Sequence, residues 1–243
     1  FDCYLGNNNI SNQIISSLNK VNIDTTNIKL VKDAGPIIST VLISKNSIER
    51  TVFYDASHWQ YNIKNPLSSF DKLKESSVLL IDNYISPKTI FEAIRIAKKY
   101  EIPVVADFEN KINSNMKKIL DMVDHIIVSK SFIISNYGDL DPKIIINRLW
   151  NNSKKLIAIT YGQHGCYYRS NHNDEILHQP AIKTNTINSL GCGDVFHGAY
   201  AFALSNQKSI DECIKYASAA ASLKASEKLI NDSNIKQIMQ KSY

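Results

Sequence analysis

The chain has 243 residues, 44% hydrophobic and 21% charged, a balance that excludes disorder and allows the sizeable core of one α/β domain. The net charge of +5, from 28 Lys and Arg against 23 Asp and Glu, is scattered in pairs such as Lys98–Lys99, Lys117–Lys118 and Lys154–Lys155. It forms no basic stripe with interleaved aromatics, which argues against a nucleic-acid partner.

In chain order, Ile10, Ile14, Ile15 and Leu18 recur at helical spacing and predict an amphipathic helix over 8–20. Residues 36–56 read as a β-hairpin: one strand from Pro36, a turn at Lys45-Asn46-Ser47, and a partner strand from Arg50 to Asp55. No helix separates its strands, so a small sheet added to the main domain is expected. From residue 77 short apolar runs alternate with helical stretches. Strands are predicted at 78–81, 102–106, 125–128 and 156–160, with helices at 87–100, 114–121 and through 150. This alternation predicts right-handed crossovers and a mostly parallel sheet. Residues 164–179 read as antiparallel strands about a polar turn at 170–174, and three helices follow at 193–205, 209–226 and 232–241. In such a sheet the chemistry gathers at the carboxyl ends of the strands. Here those ends are Asp82-Asn83-Tyr84, Asp107, Ser129 and Thr160-Tyr161-Gly162.

No apolar run approaches the roughly 18 residues of a membrane helix, so no membrane partner is expected. Cys3, Cys166, Cys192 and Cys213 lack CxxC spacing and disulfide density, which favours a reducing, cytoplasmic setting. The chain opens on Phe1 without a basic n-region; a missing N-terminal segment is expected, and a signal peptide is not.

Only eight glycines are present, and Gly162, Gly165, Gly191, Gly193 and Gly198 fall in one short stretch. Gly191 and Gly193 permit a tight loop that leads directly into a helix, where unpaired N–H groups and the helix's positive end make an anion site. Asp194 repels an anion there unless it accepts a proton while the N–H groups hold developing charge; the plainer reading is a helix cap. No P-loop pattern occurs, the dinucleotide fingerprint fails at Phe196, and no protein-kinase signature is present.

The segment Asn188-Ser189-Leu190-Gly191-Cys192-Gly193-Asp194-Val195-Phe196-His197-Gly198 resembles the second signature of the ribokinase-like carbohydrate kinases, the PfkB family. It departs from that signature at Asn188, where Asp is usual, and at Cys192, where Ala is usual. Residues 157–166, Val104–Asp107, and the early Leu5-Gly6 and Val21–Asp24 segments resemble further parts of the family. Arg50–Asp55 and Val128–Ser131 are similar to the ketohexokinase branch and related bacterial ketose kinases. Together these cover essentially the whole chain.

The resemblance implies a three-layer α/β/α fold with a mostly parallel central sheet and a small β lid. It divides the chain into a kinase domain at 1–35 and 57–243 and a lid at 36–56. It implies an ATP-dependent sugar kinase acting on a hydroxymethyl group of a ketose or ribose-like sugar. Asp194 is then the catalytic base, and Gly191, Cys192, Gly193 and Asp194 supply the anion hole. Thr160, Gly162 and Gly165 border the nucleotide phosphates, Ala220 belongs to the helix face beneath adenine, and Asn83 and Arg50 meet the substrate. ATP and Mg2+ are the implied cofactors. The family's magnesium-ordering N-x-x-E falls on Ser129 and Phe132, so no protein metal ligand is assigned. The family's first glycine-rich element lies before the point matching Phe1. A homodimer through lid pairing is a further implication. A nucleoside kinase of the same fold and a catalytically weak sugar- or nucleotide-binding regulator remain alternatives. Alanines 217 and 219–221 equally suit a packing face, His58-Trp59 a surface turn, and His197 helix packing.

Overall fold

The computed structural model describes the chain except residues 44–49, 58–69, 85, 110 and 243, and the backbone alone of Arg50 and Asn173. The chain divides into two compact units, Phe1–Asp71 with Tyr84–Thr89, and Lys72–Asn83 with Ile90–Tyr243.

In the first unit β1 (Tyr4–Gly6) pairs in parallel with β2 (Lys29–Val31), and α1 (Asn9–Lys20) lies between them in sequence. Asn8 caps α1, its Oδ1 accepting the Ser11 N–H at 2.9 Å. The β1–β2 pair was not legible beforehand, because three-residue strands are too short to display alternation. The expected hairpin is present as β3 (Ile38–Ile43) and β4 (Arg50–Asp55), antiparallel, with Ile38 opposite Asp55 and Ile43 opposite Arg50. The expected turn at 45–47 and His58-Trp59 lie outside the described residues.

The second unit is built on a six-stranded sheet: β5 (Leu79–Asp82), β6 (Val104–Asp107), β7 (His125–Ser129), β8 (Leu156–Thr160), β9 (Cys166–Ser170) and β10 (Asn173–Gln179). They lie side by side in the order β10-β9-β8-β7-β6-β5. The pairs from β5 to β8 are parallel, and β9 and β10 are antiparallel. Along this sheet run α2 (Pro87–Lys99), α3 (Ser114–Met122), α4 (Lys130–Tyr137) and α5 (Pro142–Leu149), followed by α6 (Cys192–Ser205), α7 (Ile210–Ala225) and α8 (Asp232–Ser242).

Side-chain alternation accounts for three layers. Val105, Ile127, Leu156, Ala158, Cys166 and Tyr168 join one core with buried residues of α6, α7 and α8, such as Tyr200, Ile214 and Ile235. The intervening residues Val104, Ala106, Ile126, Val128, Ile157 and Ile159 point the other way and are also buried. Both faces are therefore covered, and the mostly parallel α/β/α architecture agrees with the expectation. Among the described residues no helix is long and apolar enough to cross a membrane.

Local chemistry sets the helix ends. Asp141 caps α5 ahead of Pro142, and the buried Lys154 closes the end of α3 by donating from Nζ to the carbonyls of Leu120, Asp121 and Val123 at 2.6, 2.9 and 2.8 Å. Ser209 and Glu212 form a reciprocal capping box on α7. Ser209→Ala is expected to lower unfolding free energy by about 1 kcal/mol in urea titration, and an unchanged midpoint would refute that role.

The register fixes where the functional edge lies. Asp82 pairs with Asp107, Asp107 with Ile127, and Ser129 with Thr160, so the carboxyl ends of β5 to β8 form one rim.

Candidate active site

Gly191 precedes α6 in the left-handed region, with φ +77°, where a residue without Cβ is strongly favoured. The loop that delivers it is tied down at both ends. The N–H groups of Ile187 and Asn188 donate to Ala225 O at the end of α7, at 2.8 and 3.1 Å. Asn188 Oδ1 accepts the Leu190 N–H at 2.9 Å. The amide side chain thus provides the loop contact, and the departure from Asp at 188 leaves the turn closed.

No side chain caps α6. The Cys192 N–H donates to Ser189 O at 3.3 Å, and the Val195 N–H closes the first helical turn on Gly191 O at 3.0 Å. Cys192 therefore spends its amide inside the loop instead of offering it outward, unlike the expectation for a four-donor hole. Gly193 and Asp194 lie in the first turn, where N–H groups have no intrahelical acceptor. The Asp194 carboxylate is exposed and has no hydrogen-bond or ion-pair partner among the described residues. It is not spent as a helix cap, so it is free to meet a hydroxyl.

The fold also brings up a cation that sequence reasoning missed. A Cβ built on Gly191 would lie 3.4 Å from Lys224 Cε and 3.7 Å from Asp194 Oδ2. Lys224 of α7 thus lies along the loop, and its ammonium forms no ion pair or hydrogen bond among the described residues. The available signal was a lysine at the carboxyl end of an alanine-rich helix.

Below the loop, His197 and Asp107 meet, with His197 Nδ1 3.3 Å from Asp107 Oδ2. Burial pushes the Asp107 carboxyl up to about 6; His197 opposes this, and Glu109, Asp194 and Asp82 add to it.

The other expected site residues are spread along the same unit. Thr160 ends β8, and its Oγ1 is 3.5 Å from Val128 O. Gly162 opens the short 3-10 turn Gly162–His164, which the Gly165 N–H closes on Gly162 O at 3.0 Å. Asn83 follows β5, and its Oδ1 is buried without a hydrogen-bond partner, an acceptor available to a hydroxyl. Ala220, like Ala217 and Ala219, has no exposed surface and packs in the core with α6, α7 and α8. Arg50 begins β4 in the first unit, and its side chain lies outside the described residues.

The positions that resemble magnesium ligands do not fit that role. Ser129 Oγ accepts the Phe132 N–H at 3.2 Å as the cap of α4, and Phe132 is buried at 1% exposure. Among the described residues no group of three or more His, Cys, Asp or Glu could hold a metal ion.

A cavity of about 540 Å³ opens between Ile182, Thr184, Ser222, Leu223, Lys228 and Asn234, among others. Ser222 and Leu223 of this lining adjoin Lys224 in sequence.

The ribokinase of Lactococcus lactis subsp. lactis is 27% identical over 155 residues, covering 63% of this chain and 49% of that enzyme. The 5-dehydro-2-deoxygluconokinase of Bacillus subtilis is 23% identical over 232 residues, covering 88% of this chain and 71% of the relative. The chain thus spans about half the length of the first of these and under three quarters of the second. Arabidopsis thaliana ribokinase, solved complexed with ribose and ATP, shares the fold with a TM-score of 0.80 at 17% identity, over 99% of this chain and 81% of that one. The description "pfkB family carbohydrate kinase" matches residues 2–237. Because that match runs almost end to end and takes in both units, the chain belongs to the pfkB family of carbohydrate kinases.

Proposed function

We propose that the chain is an ATP-dependent phosphotransferase that moves the γ-phosphate of ATP to a hydroxymethyl group of a ketose or ribose-like sugar. The observation that carries this reading is the unpaired Asp194 carboxylate in the first turn of an uncapped helix, with Lys224 alongside. Asp194 takes the hydroxyl proton as the oxygen attacks phosphorus, and the N–H groups of Gly193 and Asp194 receive the charge that develops on the phosphoryl oxygens. Lys224 offsets the charge that Asp194 and the phosphates bring together. The sequence-adjacent cavity at Ser222 and Leu223 takes the base, and the Thr160–Gly165 turn borders the phosphates. The unpartnered Asn83 Oδ1 accepts a hydroxyl of the acceptor. Arg50 as a substrate contact and Mg2+ as a cofactor are supported by the family resemblance alone, and no step here runs through the metal.

The β3–β4 hairpin carries exposed apolar side chains on both faces, Ile38, Leu42 and Phe53 on one and Ile43, Val52 and Tyr54 on the other. Burial of such a surface against a second copy supports a homodimer. The four cysteines are all free, which supports a cytoplasmic setting.

Coupled ADP release against a panel of ketoses, aldopentoses and nucleosides tests the reading. Turnover with a furanose or ketose is expected. Turnover with nucleosides alone would move the assignment to a nucleoside kinase, and ATP binding without ADP release for any acceptor would leave a regulator. Lys224→Met is expected to raise the ATP KM about tenfold, the weight of one charge-assisted phosphate contact, with unchanged circular dichroism. An unaltered ATP KM would exclude Lys224 from the site.

A further inference from the structure

The His197 ring joins three elements from a buried position. Its Nδ1 lies 2.9 Å from Gly193 O in the first turn of α6, and its Nε2 lies 3.0 Å from Ile127 O on β7. Asp107 Oδ2, at the end of β6, is 3.3 Å from Nδ1. Both carbonyl oxygens are acceptors only, so each ring nitrogen satisfies its partner only when it carries a hydrogen. A neutral imidazole has one N–H and would leave the other nitrogen's lone pair facing a carbonyl oxygen at 6% exposure, where such a mismatch is expensive. The doubly protonated ring satisfies both, with Asp107 as its counter-charge. Among the described residues, the other ionisable groups acting on Asp107 are Asp82 at the end of β5, Glu109 after β6 and Asp194 on α6, all acidic. Lys224 of α7 lies along Gly191 on the loop itself.

The peptide that His197 grips also contains the Asp194 N–H. In a planar trans peptide the C=O and N–H point in opposite directions. A donor pulling on Gly193 O from inside the protein therefore aims the Asp194 N–H outward, toward the anion, and polarises it.

We propose that His197 is an imidazolium paired with Asp107 and is the positioning residue of the anion loop, orienting the Gly193–Asp194 peptide and placing a positive charge beneath the phosphate site. This rests on the phosphotransfer reading of the same loop. His197 does not touch substrate; it acts through the peptide it holds.

Two measurements on the full chain test the proposal. In 15N NMR of histidine-labelled protein at pH 7.5, both ring nitrogens of His197 are expected to carry hydrogen. A ring nitrogen without a proton at pH 7.5 overturns the proposal. His197→Gln keeps one donor, and is expected to weaken ADP binding in calorimetry about tenfold, with acceptor KM unchanged and a native circular dichroism spectrum. Wild-type ADP affinity in the folded variant overturns the proposal. Both readouts are independent of turnover. A chain that binds ADP more weakly in His197→Gln, yet phosphorylates no acceptor, supports the positioning role and removes the phosphotransfer reading alone.

Discussion

Asp194→Asn is expected to lower kcat by about 10²–10⁴-fold, the usual contribution of a positioned general base. Asparagine keeps the size and shape of the side chain but cannot accept the proton. The carboxylate is exposed and unpartnered, so its replacement breaks no structural bond, and the unfolding midpoint should hold. The effect on nucleotide binding has the opposite sign to that of a damaged site. A carboxylate beside an anion loop repels bound phosphate, so ATP affinity in the variant should equal or exceed that of the parent. Falling kcat with unchanged or tighter ATP binding is the signature of an interaction made only in the transition state. A variant that turns over at the parental rate, measured by ADP release under saturating substrates, would remove Asp194 from the chemistry.

The second large effect concerns stability at the Gly162–Gly165 turn. Gly165→Ala is expected to cost about 3 kcal/mol or more in urea unfolding, because it combines a glycine-specific conformation with a backbone clash. Gly165 has φ +88° and ψ −141°. A Cβ there would lie 2.1 Å from Gln179 O and 2.7 Å from Ala181 N, backbone atoms that cannot swing aside. Gly165 itself closes the turn in which the Tyr161 N–H donates to Gly165 O at 2.7 Å. A folded variant should therefore also bind ATP more weakly. Gly162→Ala serves as the control: its φ is +54°, but a Cβ there meets nothing within 4 Å, so only about 1 kcal/mol is expected. Equal costs for the two variants would show that the close approach at Gly165 does not decide the turn.

Much of this was legible in short windows of sequence. Alternating apolar runs and helical stretches, and the polar turn at 170–174, reproduce the β5–β10 sheet and its helices closely. These are properties of neighbouring residues, because periodicity, capping and turn chemistry act over a few positions. The Gly191–Asp194 loop was legible for the same reason: tight-loop glycines, the helix start and the carboxylate are contiguous.

Tertiary structure decided everything that needed residues distant in sequence to meet. Lys224 reaches Gly191 because the end of α7 is hydrogen-bonded to residues 187 and 188, a pairing that no local pattern encodes. His197 meets Asp107 because the register sets the ends of β6 and β7 on one rim, where the first turn of α6 can settle. Ala220 is buried because helices far apart in sequence pack into one core around it. Sequence determined which segments form strands, helices and the glycine loop before α6, since those choices are local. Which charges surround that loop follows from packing and strand register, and these exist only once the sheet has assembled.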